Sequence, residues 1–269
     1  KDFAEKYKIE FETSKNTDVI FHSTATELNL ANNGIDVDSL SISDLNGNNA
    51  FVKAKIFVLA CGALENPRIL LASNKYYKKG IGNNTGFVGS CFMSHPGIEN
   101  VAEILKTEKK SCIDKYFKKK KYKVSFTTSL KERLESKILR HNLSLKDINN
   151  NLDQIFSKKN NCDPIPEKWN LTVGLEQLPR VTNNLKLSNI KDSLGMPKID
   201  MYWDNLSKIE KDTVIKSVKI MARELGVIGA GKIRFKKELL NGNSFNLNDP
   251  INHHIGTTRM SDDPQTGVV

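Results

Sequence analysis

The stretch Lys55-Ile56-Phe57-Val58-Leu59-Ala60-Cys61-Gly62-Ala63-Leu64-Glu65-Asn66-Pro67-Arg68-Ile69-Leu70-Leu71-Ala72-Ser73 decides the fold class. Its first six residues are nearly all apolar and β-rich, the composition expected of a strand covered on both faces of a parallel sheet. Cys61-Gly62-Ala63 breaks that run, and Leu64 to Ser73 reads as a helix with a largely apolar surface. Pro67 lacks a backbone N–H and fits only a first helical turn, so the helix is expected to begin close to Glu65. Strand, glycine turn and helix in that order make an α/β unit.

Upstream, Asp18 to Ser23, Ala25 to Leu30, Asp36 to Ser43 and Ala50 to Ala60 are short β-rich runs punctuated by Asn32-Asn33-Gly34 and Asn46-Gly47-Asn48, the pattern of a β-meander. Downstream, Gly80-Ile81-Gly82-Asn83-Asn84-Thr85-Gly86-Phe87-Val88-Gly89 holds too many glycines for an element interior and reads as a loop whose backbone approaches something closely. From about Ile98 to Leu247 the texture turns polar and lysine-rich. Phe126 to Ile138 and Lys208 to Leu225 have the spacing of amphipathic helices, with Ile209, Val214, Ile215, Val218 and Met221 along one stripe of the second. Asn184 to Ser188 and Lys198 to Trp203 alternate with period two and read as adjacent antiparallel strands, and 144–168 reads as a long loop. This organisation predicts domain boundaries at 1–94, 95–247 and 248–269, the last segment returning to the first domain.

Length and composition exclude several classes. A chain of 269 residues, 38% hydrophobic and 27% charged, buries enough surface for one large domain or two smaller ones. Its longest apolar run, Ile56 to Leu64 broken only by Gly62, is about half the roughly 20 residues of a membrane-crossing helix. Cys61, Cys91, Cys112 and Cys162 form no CxxC pair and read as free thiols. The net charge of +10 is mostly lysine, 34 of the 41 basic residues, and the densest run, Lys118 to Lys121 with Lys115 and Lys123 nearby, could attract an anionic partner but holds no arginine, which a nucleic-acid surface usually adds. No nucleic-acid partner is expected, although a basic polyanion-binding protein stands as one alternative reading. The chain begins at Lys1 without an initiator Met or an apolar signal core and stops at Gly267-Val268-Val269, so both ends read as cut from a longer protein, soluble and cytoplasmic by expectation.

The most distinctive segment is Asn252-His253-His254-Ile255-Gly256-Thr257-Thr258-Arg259-Met260. It resembles the C-terminal part of the glucose-methanol-choline (GMC) flavoprotein oxidoreductases, where a His three positions before a Gly-Thr pair faces the flavin and the run ends in Gly-Val-Val. Val58 to Leu71 resembles the second signature of that family, Val88 to Pro96 its entry into the substrate domain, and Asn183 to Ser188 a strand of that domain. The four matches fall in the family's order, while Val101 to Asn170 matches nothing. The family opens with a GxGxxG turn and carries a second catalytic His or Asn about forty residues beyond the first; this chain shows neither.

The resemblance implies a partial FAD-binding, Rossmann-like domain with a β-meander, joined to an α+β substrate domain with an antiparallel sheet. It implies FAD as cofactor and a small-molecule alcohol or sugar as substrate, with dioxygen, a quinone or a cytochrome as electron acceptor. The implied activity is that of an FAD-dependent alcohol or sugar dehydrogenase or oxidase, inactive as an isolated fragment; a non-catalytic binding fragment of the same fold is a second alternative. His253 is the implied general base, a fitting residue because imidazole titrates near pH 6.5. Ala25, Cys61, Gly62, Ala63 and His254 are the implied cofactor-contacting residues. Adjacent residues of an extended segment point to opposite sides, so only one of the His253 and His254 side chains faces the flavin, and the spacing to Gly256 selects His253. Without the family, a His-His pair reads as two loop histidines or half of a metal site; no metal is expected, because His22, His95 and His141 stand in unlike contexts. His95 reads as structural, and Arg259 either as a ligand for a substrate carboxylate or phosphate or as the partner of Asp262 or Asp263 in a local salt bridge.

Overall fold

The computed structural model describes residues 2–106, 125–147, 168–204, 206–237, 239, 253–263 and 265–269. Their elements, in chain order, are α1 (Phe3–Thr13), β1 (Thr24–Leu30), β2 (Val37–Ser43), β3 (Asn49–Val52), α2 (Gly62–Ala72), β4 (Gly97–Lys106), β5 (Ser125–Phe126), α3 (Leu130–Ser136), β6 (His141–Asp147), β7 (Lys168–Leu175), β8 (Asn184–Lys191), β9 (Pro197–Tyr202), α4 (Lys208–Val227) and β10 (Gly231–Phe235). They form two compact units, the first of Lys1–Cys91, Val181–Tyr202 and Gly256–Val269, the second of Phe92–Arg180 and Trp203–Ile255. Among the described residues no helix is long and apolar enough to cross a membrane. Cys61 and Cys91 are free; Cys112, Cys162 and the Lys118–Lys121 run lie outside the described residues.

In the first unit β1, β2 and β3 make the expected antiparallel meander, in register at Leu28↔Leu40 and Leu40↔Val52. Its second turn closes because Asp44 accepts the backbone N–H groups of Asn46 and Asn48. The core is small: Leu28, Ile69 and Met196, with Ala25, Leu40, Leu59 and Leu70 packed against them. α1, which the apolar pattern does not announce, starts from an Asp2 side chain that accepts the Ala4 N–H and buries none of its residues.

Several expectations fail here, each for a physical reason. Asp18 to Ser23 and Lys55 to Ala60 are not strands: β3 ends at Val52, no described segment hydrogen-bonds alongside 55–60, and Ile56 and Val58 are 79% and 81% exposed. An apolar run becomes a strand only when a ladder satisfies its backbone. α2 begins at Gly62 and keeps Pro67 in its interior. Pro67 has no N–H to give the carbonyl four residues back, and Ala63 O takes the Thr257 hydroxyl instead, at 2.6 Å. The hairpin β8–β9, whose pairing is as expected, belongs with α2: Arg68 donates to the Pro197 carbonyl at 2.8 Å and pairs with Asp192 at 2.5 Å, and Met196 joins the core. The glycine-rich loop approaches its own protein. A Cβ at Gly80 would lie 2.6 Å from the Leu70 carbonyl oxygen, and one at Gly89 2.6 Å from that of Leu185.

The second unit is a five-stranded antiparallel sheet, ordered β10-β4-β7-β6-β5, with α4 packed on one face. β7 alternates strictly, turning Trp169, Leu171, Val173 and Leu175 into a core shared with Val214, Val218 and Met221 of α4. α4 is anchored through Glu210, whose fully buried carboxylate accepts the N–H groups of Ser207 and Leu178. The expected helix Phe126 to Ile138 is shorter: Phe126 belongs to β5, Ser129 caps α3 by accepting the Glu132 N–H, and Lys137 ends it in a left-handed conformation. β6 runs through Asp147 and β7 starts at Lys168, so most of the expected 144–168 loop lies outside the described residues.

Candidate functional site

In the second unit, Met93 and Ile255 form an antiparallel bridge, each N–H meeting the other's carbonyl at 2.9 and 3.0 Å. That register sets residue 95 opposite residue 253, and their imidazoles meet edge to face, 5.6 Å between centroids and 82° between planes. His253 has φ +60, uncommon outside glycine. His254 faces the other way, its ring 5.2 Å from that of the fully buried Phe92. The two side chains of the pair thus have different partners, with His253 outside extended backbone.

His95 and His253 line an open cavity of about 760 Å³ at the ends of β6 and β7, with Arg140, Asn142, Thr127 and Glu176 among the other lining groups. The lining carries both hydrogen-bond donors and acceptors. His141 also borders the cavity and is buried. Burial holds its imidazole below the ordinary range; the Leu139 carbonyl on Nδ1 acts against that and Arg133 with it. Its Nε2 has no partner among the described residues. The cavity brings His95, His141 and His253 together from unlike sequence contexts, a grouping that the sequence does not disclose. No local signal announces it, because the β6–β7 register and the 93–255 bridge bring the three together from distant positions. Among the described residues no cluster of three or more His, Cys, Asp or Glu is disposed to hold a metal.

In the first unit, Cys61-Gly62-Ala63 forms the exposed entry to α2. Asn66 ties it down, accepting the Cys61 N–H at 2.8 Å and donating to the Leu59 carbonyl at 3.2 Å. Cys61 supplies no side-chain cap, so the amides of the first helical turn have no side-chain acceptor there. Gly62 sits at φ +84, and a Cβ there would meet nothing within 4 Å. Fully buried Thr257 donates to Ala63 O and its carbonyl accepts the Gly89 N–H at 2.8 Å, fastening the Gly256-Thr257 segment to this turn. Asn66 and Thr257 are the structural partners of the turn that sequence reading overlooks. Ala25 lies on edge strand β1 beside a bulge and packs, with Leu59, on the small core. Among the described residues Arg259 has no ion pair with Asp262 or Asp263; its N–H donates to the Gly256 carbonyl and its carbonyl accepts the Val268 N–H.

No protein-family model matches the chain. It is 24% identical over 245 residues to the fructose dehydrogenase large subunit of Gluconobacter japonicus, covering 87% of this chain and 42% of that protein. It is similar in structure to an FAD-dependent oxidoreductase from Chaetomium thermophilum, with TM-score 0.58 and 12% identity over 99% of this chain and 56% of that one. It is similar also to formate oxidase from Aspergillus oryzae, with TM-score 0.50 and 13% identity over 92% of this chain and 52% of that one. The chain spans about half the length of these relatives, and its fold is that of FAD-dependent oxidoreductases, as the sequence resemblance implies.

Proposed function

We propose that this chain is part of an FAD-dependent oxidoreductase that oxidises an alcohol or sugar hydroxyl, with His253 as general base. The observation that carries the reading is the divergence of the histidine pair: His253 lines a polar cavity while His254 packs on Phe92.

The residues of the first unit fit the cofactor. The first turn of α2, without a side-chain cap and with open space over Gly62, presents backbone amides to an acceptor-bearing group, as helix N-termini do. In this reading Cys61, Gly62 and Ala63 hold FAD through the main chain and Ala25 contacts it from β1; 1–94 and 248–269 then serve the cofactor and 95–247, apart from the β8–β9 hairpin that packs with α2, the substrate. His254, with its ring on Phe92, would contact the cofactor through backbone. Bound FAD would supply the two-electron acceptor for the carbon-bound hydrogen, which leaves as hydride.

The chain's own work is proton transfer and orientation. His253 accepts the hydroxyl proton: the O–H bond breaks, an N–H bond forms on the imidazole, and the freed oxygen pair becomes the carbonyl π bond as hydride departs. A positioned base of this kind contributes about 10²- to 10⁴-fold in rate. Arg140 and Asn142 donate to substrate hydroxyls and Glu176 accepts from them, a lining suited to a polyhydroxylated molecule.

Anaerobic stopped-flow of the FAD-loaded protein with candidate alcohols and sugars tests this. His253→Ala should slow flavin reduction about 10²-fold or more and His254→Ala far less; equal losses, or none with His253→Ala, would remove the assignment. Reoxidation of the reduced protein by dioxygen, a quinone or a cytochrome separates the three acceptor classes.

A further inference from the structure

The sequence marks His95 as structural, and the structure gives it a more specific task. Its backbone is clamped on both sides. The Ser94 N–H donates to Gln177 Oε1 at 3.0 Å, and the carbonyl of Pro96 accepts the Leu175 N–H at 3.2 Å, next to the end of β7. Pro96 also confines the preceding residue to extended conformations. Gln177 is itself buried and takes the indole N–H of Trp203 at 3.1 Å, so the platform beneath His95 is part of the folded core. His253, by contrast, stands at positive φ and is exposed. Such a side chain has several staggered rotamers open to it, and only some of them turn a ring nitrogen into the cavity.

We infer that His95 is a positioning residue: its imidazole, carried on a clamped backbone and meeting the His253 ring edge to face at 5.6 Å, selects the His253 rotamer that serves the cavity. The inference rests on the proposed role of His253 and adds to it the group that aims the base. Among the described residues, the other charged or titratable groups bordering the cavity are Arg140, His141 and Glu176. None of them has a ring contact with His253. A base that wanders between rotamers spends less time in reactive geometry, while substrate affinity, set by the remaining lining, changes little. The role needs an aromatic ring at position 95 and does not need that ring to titrate.

Two variants and two readouts decide the matter in the FAD-loaded protein. His95→Ala should lower kcat about tenfold with KM within about twofold of the parent, and His95→Phe, which keeps the ring contact, should recover most of the loss. In carbon-proton NMR spectra of the imidazoles, the His253 resonances should move in His95→Ala, where the ring current of residue 95 is gone, and should stay dispersed in His95→Phe. Unchanged kcat in His95→Ala overturns the inference. So does a His95→Phe variant as slow as His95→Ala, which would assign the effect to imidazole chemistry, or a loss explained by a fall in melting temperature or flavin content. The spectra separate this failure from that of the parent reading: if His253→Ala leaves flavin reduction intact the base assignment falls, yet the resonance shifts still report whether residue 95 orients the ring.

Discussion

The two units solve the problem of a core differently. The second closes a sheet and a long helix over a cluster that runs from Ile98 to Leu239 and includes Trp169, Leu171, Val173, Val214 and Val218. The first has a cluster of only Leu28, Ile69 and Met196, with Val88 and Leu185 buried outside it, and leaves Phe21, Phe51, Ile56 and Val58 exposed. Where packing is thin, specific hydrogen bonds do the organising: Thr257 on Ala63, Asn66 on Cys61, Arg68 on Pro197 and Asp192. The lesson is that apolar content and buried content are separate quantities, and the stretch most apolar in sequence is among the most exposed in space.

The sharpest way to break this comparison is to hollow each core. Leu171→Ala removes a fully buried side chain from the centre of β7 and should cost about 2–5 kcal/mol, the range for large-to-small changes in closed cores. Leu28→Ala, in a cluster with few buried neighbours, should cost clearly less, because a thin core loses fewer contacts and relaxes more readily. Chemical unfolding of the two variants measures both; equal costs would mean that the first unit is packed as well as the second.

Smaller, and confined to the first unit, is the coupling between Thr257 and Pro67. Thr257→Val deletes the hydroxyl that serves Ala63 O and leaves a carbonyl that the proline cannot satisfy, at a cost of about 1–3 kcal/mol. In a Pro67→Ala background residue 67 regains an N–H for that carbonyl, so the cost of Thr257→Val should shrink. A double-mutant cycle reads the difference as an interaction energy; additivity would show that the hydroxyl does not stand in for the missing helical bond.

That pair explains what the sequence disclosed and what it withheld. The meander and the β8–β9 hairpin were legible because their turns, at Asn32–Gly34, Asn46–Asn48 and Asp192–Met196, are local. The divergence of His253 and His254 was expected from the alternation of an extended segment, whereas His253 itself stands at φ +60 and is not extended. The start of α2 was not legible, since an interior Pro67 is tolerable only because a residue 194 positions from Ala63 supplies the missing donor. Nor was the partnership of His95 with His253, which depends on a single bridge between Met93 and Ile255. The strand expected at 55–60 failed for the same kind of reason: its apolarity is real, but a ladder partner is a property of the fold and not of the six residues.

The least effect concerns acid. Burial pushes the Asp192 carboxyl up, but the Arg68 guanidinium and the amides of Met196 and Leu194 outweigh that and hold it below the usual carboxylate range. A carboxyl with a depressed folded value contributes stability that is fully present above its unfolded value, near pH 4, and is lost as pH falls through the folded value, because the unfolded chain takes up the proton first. Between about pH 5 and about pH 3 the parent should therefore lose more stability than Asp192→Asn, which has no proton to gain. Melting curves of the two proteins across that interval give the comparison. Parallel curves would mean that the ion pair fastening the hairpin to α2 contributes nothing to the stability of the first unit, leaving the Arg68 bond to the Pro197 carbonyl, the Leu185 N–H on the Gly89 carbonyl and the small apolar cluster to hold β8 and β9 in place.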